Sequence, residues 1–383
     1  MLTDGRRSSP QRTLLADFLT KLLTSERVFM SHVLVTGGSG FIAGHVIVQL
    51  LGQGHTVRTT VRSLAKEDAV RAVLREAGLT HDEALSFVEA DLVSDAGWAE
   101  AVRATDFVIH VASPIHTGKV KDEDEVIAPA RDGALRVLRA ARNAGVRRLV
   151  LTSAFHAVGF GHGHIDHVFT EDDWSPLDGP GVDVYGRSKI LAEQAAWDFI
   201  AQPGSEMELT TILPVAVMGP VMGSDISGAN HIIQSSLNGD MPGYPNMFVP
   251  IVDVRDVAAA HVAAMTAPGA AGQRFLIGTG EPAIAMKEIG AILRSDLGTK
   301  ASKVPTRSIP DFIVKATALF RDEYKSVAAD LGYTKRVSND KARTILDLTP
   351  RPAREAITAA GRSMIDRGLA GRVSARGQCH RRT

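Results

Sequence analysis

At 383 residues, with 43 Lys+Arg against 43 Asp+Glu, the chain is long enough for a large α/β unit or two domains and has no net charge to recruit nucleic acid or an anionic membrane. Its single cysteine, Cys379, excludes an intrachain disulfide and suits a reducing, cytoplasmic setting. No apolar run approaches the roughly 18 residues needed to cross a bilayer, so the expected partner is a small molecule and the expected state a monomer or homodimer.

Residues 1–29 precede the first predicted strand and are expected to form a loosely ordered extension. Leu14, Leu15, Phe18, Leu19, Leu22 and Leu23 share one face of a short amphipathic helix. Asp4, Asp17 and Glu26, with no small-residue cleavage site after an apolar core, argue against a secretory signal. Met30, immediately before the strand, offers an alternative start.

The stretch 32–44 reads as strand, glycine turn and helix. Val33, Leu34 and Val35 have the length of a buried parallel strand, Thr36-Gly37-Gly38-Ser39-Gly40 turns, and apolar positions recur at helical spacing from Phe41 to Leu51. Such a turn binds phosphate. Gly37 permits the tight bend and Gly40 a close backbone approach to a pyrophosphate. The N–H groups opening the helix at Phe41 and Ile42 then face the anion. Ala43, where a third glycine is common, still allows close helix–strand packing. A dinucleotide is therefore the expected cofactor.

A second strand runs from His55 to Val61. A cofactor with a free ribose 2′-hydroxyl is usually held by an acid about twenty residues past the glycines, whereas a 2′-phosphate calls for arginine. Here Arg58 and Arg62 stand near that position, with no acid before Glu67. That favours NADP(H), with Arg62 on the phosphate. A helix over 66–77 precedes a third strand over 86–89, which ends in Ala90-Asp91-Leu92. Asp91 is placed either to accept from the adenine amino group or to cap a helix starting near Asp95.

The fourth strand, over 106–112, ends in Val111 and Ala112, small enough to leave room for the dinucleotide. A long helix over 126–144 leads to a fifth strand over 148–152. Strands alternating with helices imply a doubly wound parallel sheet of Rossmann type. Beyond it, a helix over 185–201 precedes a strand over 209–213. A Gly-, Pro- and Met-rich run extends to Asn246, followed by a strand over 248–252, a helix over 254–265 and a last strand over 274–277. Residues 286–298 and 352–368 have helical periodicity.

The predicted organisation is an extension (1–29), a dinucleotide-binding domain (30–214, completed by 248–280), a smaller C-terminal substrate lobe (215–247 and 281–370) and a basic tail (371–383). The tail, with Arg372, Arg376, Arg381 and Arg382, is expected to be disordered.

Tyr185-Gly186-Arg187-Ser188-Lys189 opens the 185–201 helix. Positions i and i+4 share a face, so the phenol of Tyr185 and the ammonium of Lys189 can address one site. A phenol with pKa near 10 needs a nearby cation to work at neutral pH, and Lys189 supplies one and can also hold the nicotinamide ribose.

The glycine turn, Thr60-Val61-Arg62, Ala90-Asp91-Leu92 and the Tyr-x-x-x-Lys pattern together resemble the extended short-chain dehydrogenase/reductases. The likeness is greatest to their dihydroflavonol reductase and NADPH-dependent aldehyde/ketone reductase branch. His110-Val111-Ala112-Ser113-Pro114, Leu191 to Trp197 and Val252 to Val257 add to the likeness, which covers roughly residues 31–350. The resemblance implies reduction of an aldehyde or ketone by NADPH, with Tyr185 as proton donor. It also implies cofactor contacts from Ser113 and from Pro214, although Pro214 also suits a strand end. A hydroxysteroid or nucleotide-sugar dehydrogenase, or an epimerase-like enzyme, is the alternative within the family. A catalytically impaired NADP(H)-sensing module is the alternative of another class.

One position departs from that pattern. The family usually has Thr-Ser-Ser after the fifth strand, its second serine hydrogen-bonding the substrate carbonyl. Here Thr152-Ser153-Ala154 puts alanine there. Ser153 is the nearest hydroxyl to serve as the catalytic serine, with water or His156 as other donors. His156, His162, His164 and His167 cluster in a glycine-rich loop without cysteine, and no metal site is expected from them.

Overall fold

The computed structural model describes residues 30–114, 122–204, 206–321 and 324–371, so the 1–29 extension and all but the first residue of the basic tail lie outside the described residues. Strands β1 (His32–Val35), β2 (Thr56–Val61), β3 (Leu85–Glu89), β4 (Phe107–His110), β5 (Arg148–Thr152), β6 (Glu208–Pro214) and β7 (Gln273–Ile277) build one seven-stranded sheet. Its order is β7-β6-β5-β4-β1-β2-β3, and every pairing is parallel. The reversal between β1 and β4 is the switch point at which such sheets bind dinucleotides beyond the carboxyl ends of their strands.

Helices cover both faces, as buried parallel strands require. The longer helices of the described residues are α1 (Phe41–Gly52), α2 (Glu67–Glu76), α3 (Asp124–Asn143), α4 (Val184–Ile200), α5 (Asn230–Asn238), α6 (Val254–Thr266), α7 (Met286–Leu297) and α8 (Ala353–Asp366). Helices α1 and α6 pack together on one face, and α3 and α4 on the other. Strand alternation divides the side chains accordingly. Val33 and Val35 join the core with Val46, Leu50 and Val257, while Leu34 joins Val137, Leu138 and Phe199 on the opposite side.

A second core lies beyond the sheet. Met218, Ile233, Leu237, Tyr244, Met286, Ile289, Ile357 and Met364 pack together, drawn from α5, α7, α8 and the 216–251 segment. The stretch predicted as one strand over 248–252 is two. Phe248–Val249 pairs antiparallel with Ile284–Ala285, and Ile251–Asp253 pairs parallel with Ala216–Met218. Pro250 between them has no N–H to continue a ladder, and its carbonyl accepts from Ala216 instead.

Strand β4 likewise stops at His110 rather than Ala112. The Thr36 hydroxyl oxygen takes the N–H of both Val111 (3.1 Å) and Ala112 (3.0 Å), ending the pairing. The short helix expected near Asp95 begins instead at Trp98, after Gly97.

Candidate active site

Three threonines fasten the glycine turn to its neighbours. Thr60 Oγ1 accepts from Gly37 N (2.9 Å), its carbonyl accepts from Gly38 N (2.9 Å), and Thr59 Oγ1 donates to Val35 O (2.7 Å). Gly38 lies against Thr59 so closely that a Cβ there would sit 2.4 Å from its hydroxyl oxygen. Gly37 has φ +76°, a left-handed conformation open mainly to glycine, and a Cβ on it would meet Ala112 at 3.1 Å. The third threonine, Thr36, receives two N–H bonds and so spends its own proton on His110 Nδ1 (2.8 Å), leaving His110 its proton on Nε2.

No side chain caps α1, whose N-cap is Gly40 in an extended conformation. The first-turn N–H groups, from Phe41 and Ile42 onward, are therefore left for an anion. A cradle that excludes side chains, before an uncapped helix at the sheet's switch point, fits a pyrophosphate.

Arg62, directly after β2, is exposed and has no hydrogen bond or ion pair among the described residues. Arg58 is turned away, capping the carbonyls of Glu100 (3.0 Å), Ala101 (3.1 Å) and Arg103 (2.7 Å). The two arginines are thus separated, and Arg62 alone is free for a 2′-phosphate. After β3, Asp91 closes a tight turn by accepting from Val93 N (3.2 Å), while Leu92 is buried in the core beneath α3.

Helix α4 starts behind Asp183, whose carboxylate accepts from Gly186 N (2.7 Å) as an N-cap. In the first turn, Tyr185 keeps 46 % of its surface exposed. Desolvation of its hydroxyl, then the Asp183 carboxylate, push the phenol up to about 12. Lys189 is buried. Its ammonium donates to Ser113 Oγ (3.1 Å) and lies 5.8 Å from the Tyr185 ring centre. Burial pulls it down to about 8, against the opposing pull of Glu193. Tyr185 is thus a protonated donor at neutral pH, with a cation behind it.

Ser153 is oriented differently from Tyr185. Its hydroxyl donates to Glu193 Oε2 (2.7 Å). Fully buried Glu193 also accepts from Thr211 Oγ1 (2.8 Å) and Arg274 Nε (2.8 Å). Ser153, Ser113, Lys189 and Glu193 line a cavity of about 20 Å³ that Tyr185 does not reach, large enough for one water. Ala154 follows in extended backbone, ahead of a short 3-10 turn at Phe155–Ala157. Pro214, the last residue of β6, is buried. A depression of about 450 Å³ is lined by Asn238, Asp240, Lys303, Gly368 and Leu369, and by none of the predicted site residues.

The histidine loop is locked by its own contacts. His162 bonds Val158 O (2.8 Å), His164 bonds Ala329 O (2.9 Å) and stacks on Tyr333, and His167 bonds Asp173 (3.0 Å). Among the described residues no group of three or more metal-ligating side chains converges. Sequence reasoning missed Thr36, Thr59, Thr60, His110 and Glu193. The visible signals were the threonine before the glycines, the threonine pair in β2, and an acid one turn after Lys189.

These features define a nucleotide-binding α/β oxidoreductase with a tyrosine–lysine pair. Residues 33–278 match the NAD dependent epimerase/dehydratase family, and the chain belongs to it. The ketoreductase azaE of Aspergillus niger is 31% identical over 353 residues, covering 87% of this chain and 97% of that protein. Cinnamoyl-CoA reductase 1 of Arabidopsis thaliana is 36% identical, over 64% of this chain and 69% of its own. The crystal structure of Gre2 with NADPH from Candida albicans superposes with a TM-score of 0.73 at 27% identity, covering 88% of this chain and 99% of that one.

Proposed function

We propose that the protein reduces an aldehyde or ketone to the alcohol with NADPH, Tyr185 giving the proton. When bound, NADPH supplies the hydride. The chain's own residues do the rest. Gly37, Gly40 and the opening N–H groups of α1 hold the pyrophosphate, and Arg62 pairs with the 2′-phosphate, which suits a guanidinium. Asp91 and Leu92 border the adenine, Val111 and Ala112 leave space for the dinucleotide, and Pro214 lies beside the nicotinamide. Lys189 holds the nicotinamide ribose and, as a cation, favours proton release by Tyr185. Ser153 enters as an anchor for Glu193. With one cysteine, Cys379, in the whole chain, we place the enzyme in the cytosol.

The observation that carries this reading is the Tyr185–Lys189 pair one helical turn apart, with Lys189 tied to Ser113 beyond the end of β4. Similarity to proteins named as reductases supports it. The test is kinetic. Tyr185→Phe is expected to remove at least nine-tenths of turnover while leaving NADPH affinity within a few-fold, and Lys189→Ala to impair both. A Tyr185→Phe enzyme that keeps more than about a tenth of the rate has another proton donor. The second reading, an NADP(H) sensor without catalysis, has Ala154 in its favour. It gains if NADPH binds tightly and no carbonyl compound is turned over.

A further inference from the structure

The donor that should polarise the carbonyl is missing at Ala154, and the Ser153 hydroxyl is committed to Glu193. The ring nearest to Tyr185 is that of His156, which meets it edge-on at 5.1 Å between centres and an interplanar angle of 86°. Its other side is fixed. His156 lies flat on Phe160, at 4.2 Å and 7°. Beyond Phe160 stands the Lys335 ammonium, 4.5 Å from the Phe160 ring centre and paired with Asp330.

His156 also differs from the other histidines of its loop. His162, His164 and His167 each spend a ring nitrogen on a protein acceptor. Neither nitrogen of His156 has a hydrogen bond among the described residues. A partly buried imidazole, held on both sides and unpartnered at its nitrogens, is placed for a ligand beside the phenol.

We propose that His156 takes the place of the absent serine, its ring N–H donating a hydrogen bond to the substrate carbonyl oxygen that Tyr185 protonates. This rests on the reductase reading above. The balance is simple. Hydride brings two electrons to the carbonyl carbon, the C=O π pair moves to oxygen, and Tyr185 gives that oxygen its proton. His156 keeps its own. A neutral imidazole is suited to this, as in other enzymes where it polarises a carbonyl without releasing a proton. Burial pulls His156 down to about 4, with Lys189 and Lys335 adding to it and the Asp183 and Asp330 carboxylates opposing, so it is neutral at working pH.

The experiment uses the full chain, NADPH, and whichever of methylglyoxal, isovaleraldehyde, cinnamaldehyde and ethyl acetoacetate has the highest kcat/KM. His156→Phe keeps a ring on Phe160 and removes the N–H. It is expected to lower kcat by about 10²–10³, the usual effect of losing one such donor, with NADPH affinity and Tm little changed. Adding Ala154→Ser to His156→Phe should recover at least tenfold, a rescue that a merely structural histidine would not show. Ala154→Ser alone should change kcat less than threefold, because the role is filled. Three results overturn the proposal: His156→Phe within threefold of the parent, a folded His156→Phe not rescued by Ala154→Ser, or Ala154→Ser alone raising kcat more than tenfold. If Tyr185→Phe is crippled and His156→Phe is not, this proposal falls alone. If neither is impaired, the reductase reading falls with it.

Discussion

Arg62 is exposed, with no hydrogen bond or ion pair among the described residues, and Arg58, four residues earlier, caps carbonyls near the short helix at Trp98. The sequence placed Arg62 on the phosphate with Arg58 nearby; four residues apart in one strand they would share a face, but β2 ends at Val61 and Arg58 is tied down by backbone carbonyls. NADPH is accordingly predicted to bind at least tenfold more tightly than NADH, and Arg62→Ala to erase most of that difference. Equal dissociation constants in the unmutated protein would refute the assignment. Lys189 gives the second prediction at this scale. Its buried ammonium, pulled down to about 8, is charged below that pH and neutral above it. kcat/KM for NADPH reports groups of the free enzyme, so it should fall as pH rises through about 8. A flat profile to pH 10 would remove Lys189 from cofactor binding.

At the scale of elements, the strand–turn–helix was legible because its glycines, apolar run and helical period agree. What ties it down is harder to read, since Thr59 and Thr60 look like ordinary strand residues, and Thr36 like part of the turn, until β2 and β4 lie beside β1. Helix α5 was missed inside a Gly-, Pro- and Met-rich run, although Ile233 and Leu237 sit one turn apart and Gly239 ends it with φ +76°. The Ser153 hydroxyl, expected as the catalytic donor, is held by Glu193 Oε2 (2.7 Å). Adjacent residues at a strand end face opposite ways, and Ser153 points to Glu193 on α4. Glu193 and Arg274 form a buried pair, with Arg274 stacked 3.7 Å over Trp174 and donating to the carbonyls of Glu171 and Asp173. Arg274→Met leaves Glu193 buried without its cation and should cost about 3–5 kcal/mol, read from urea unfolding. Glu193→Leu in the same chain should return much of that loss. A single variant within 1 kcal/mol of the parent would show that the pair does not hold β7 to α4.

For the whole molecule, the parallel order of seven strands was foreseen as a class. The second core, assembled from segments as distant as Met218 and Met364, had to come from the structure. Distant pairing leaves little local trace. His45, His110 and His261 are among the described residues buried in neutral form. Burial takes His45 to about 4, His110 to about 3 and His261 to about 4. In the unfolded chain they bind protons near pH 6.5, and in the fold they do not. Stability from each is therefore full above about 6.5 and lost as pH falls toward the folded value, on the order of 2 kcal/mol apiece by pH 5. Tm should drop between pH 7 and pH 5, and a Tm unchanged over that range would mean that these histidines accept protons in place.

The claim on which the rest depends is that this chain carries hydride from NADPH to a carbonyl compound through a site built around Tyr185. The most direct measurement is the rate of NADPH oxidation with methylglyoxal, isovaleraldehyde, cinnamaldehyde and ethyl acetoacetate, run beside NADH and beside the Tyr185→Phe chain. The account predicts turnover of at least one compound, faster with NADPH, and lost in Tyr185→Phe. Tight NADPH binding with no oxidation by any of them, or oxidation that survives in Tyr185→Phe, would contradict it.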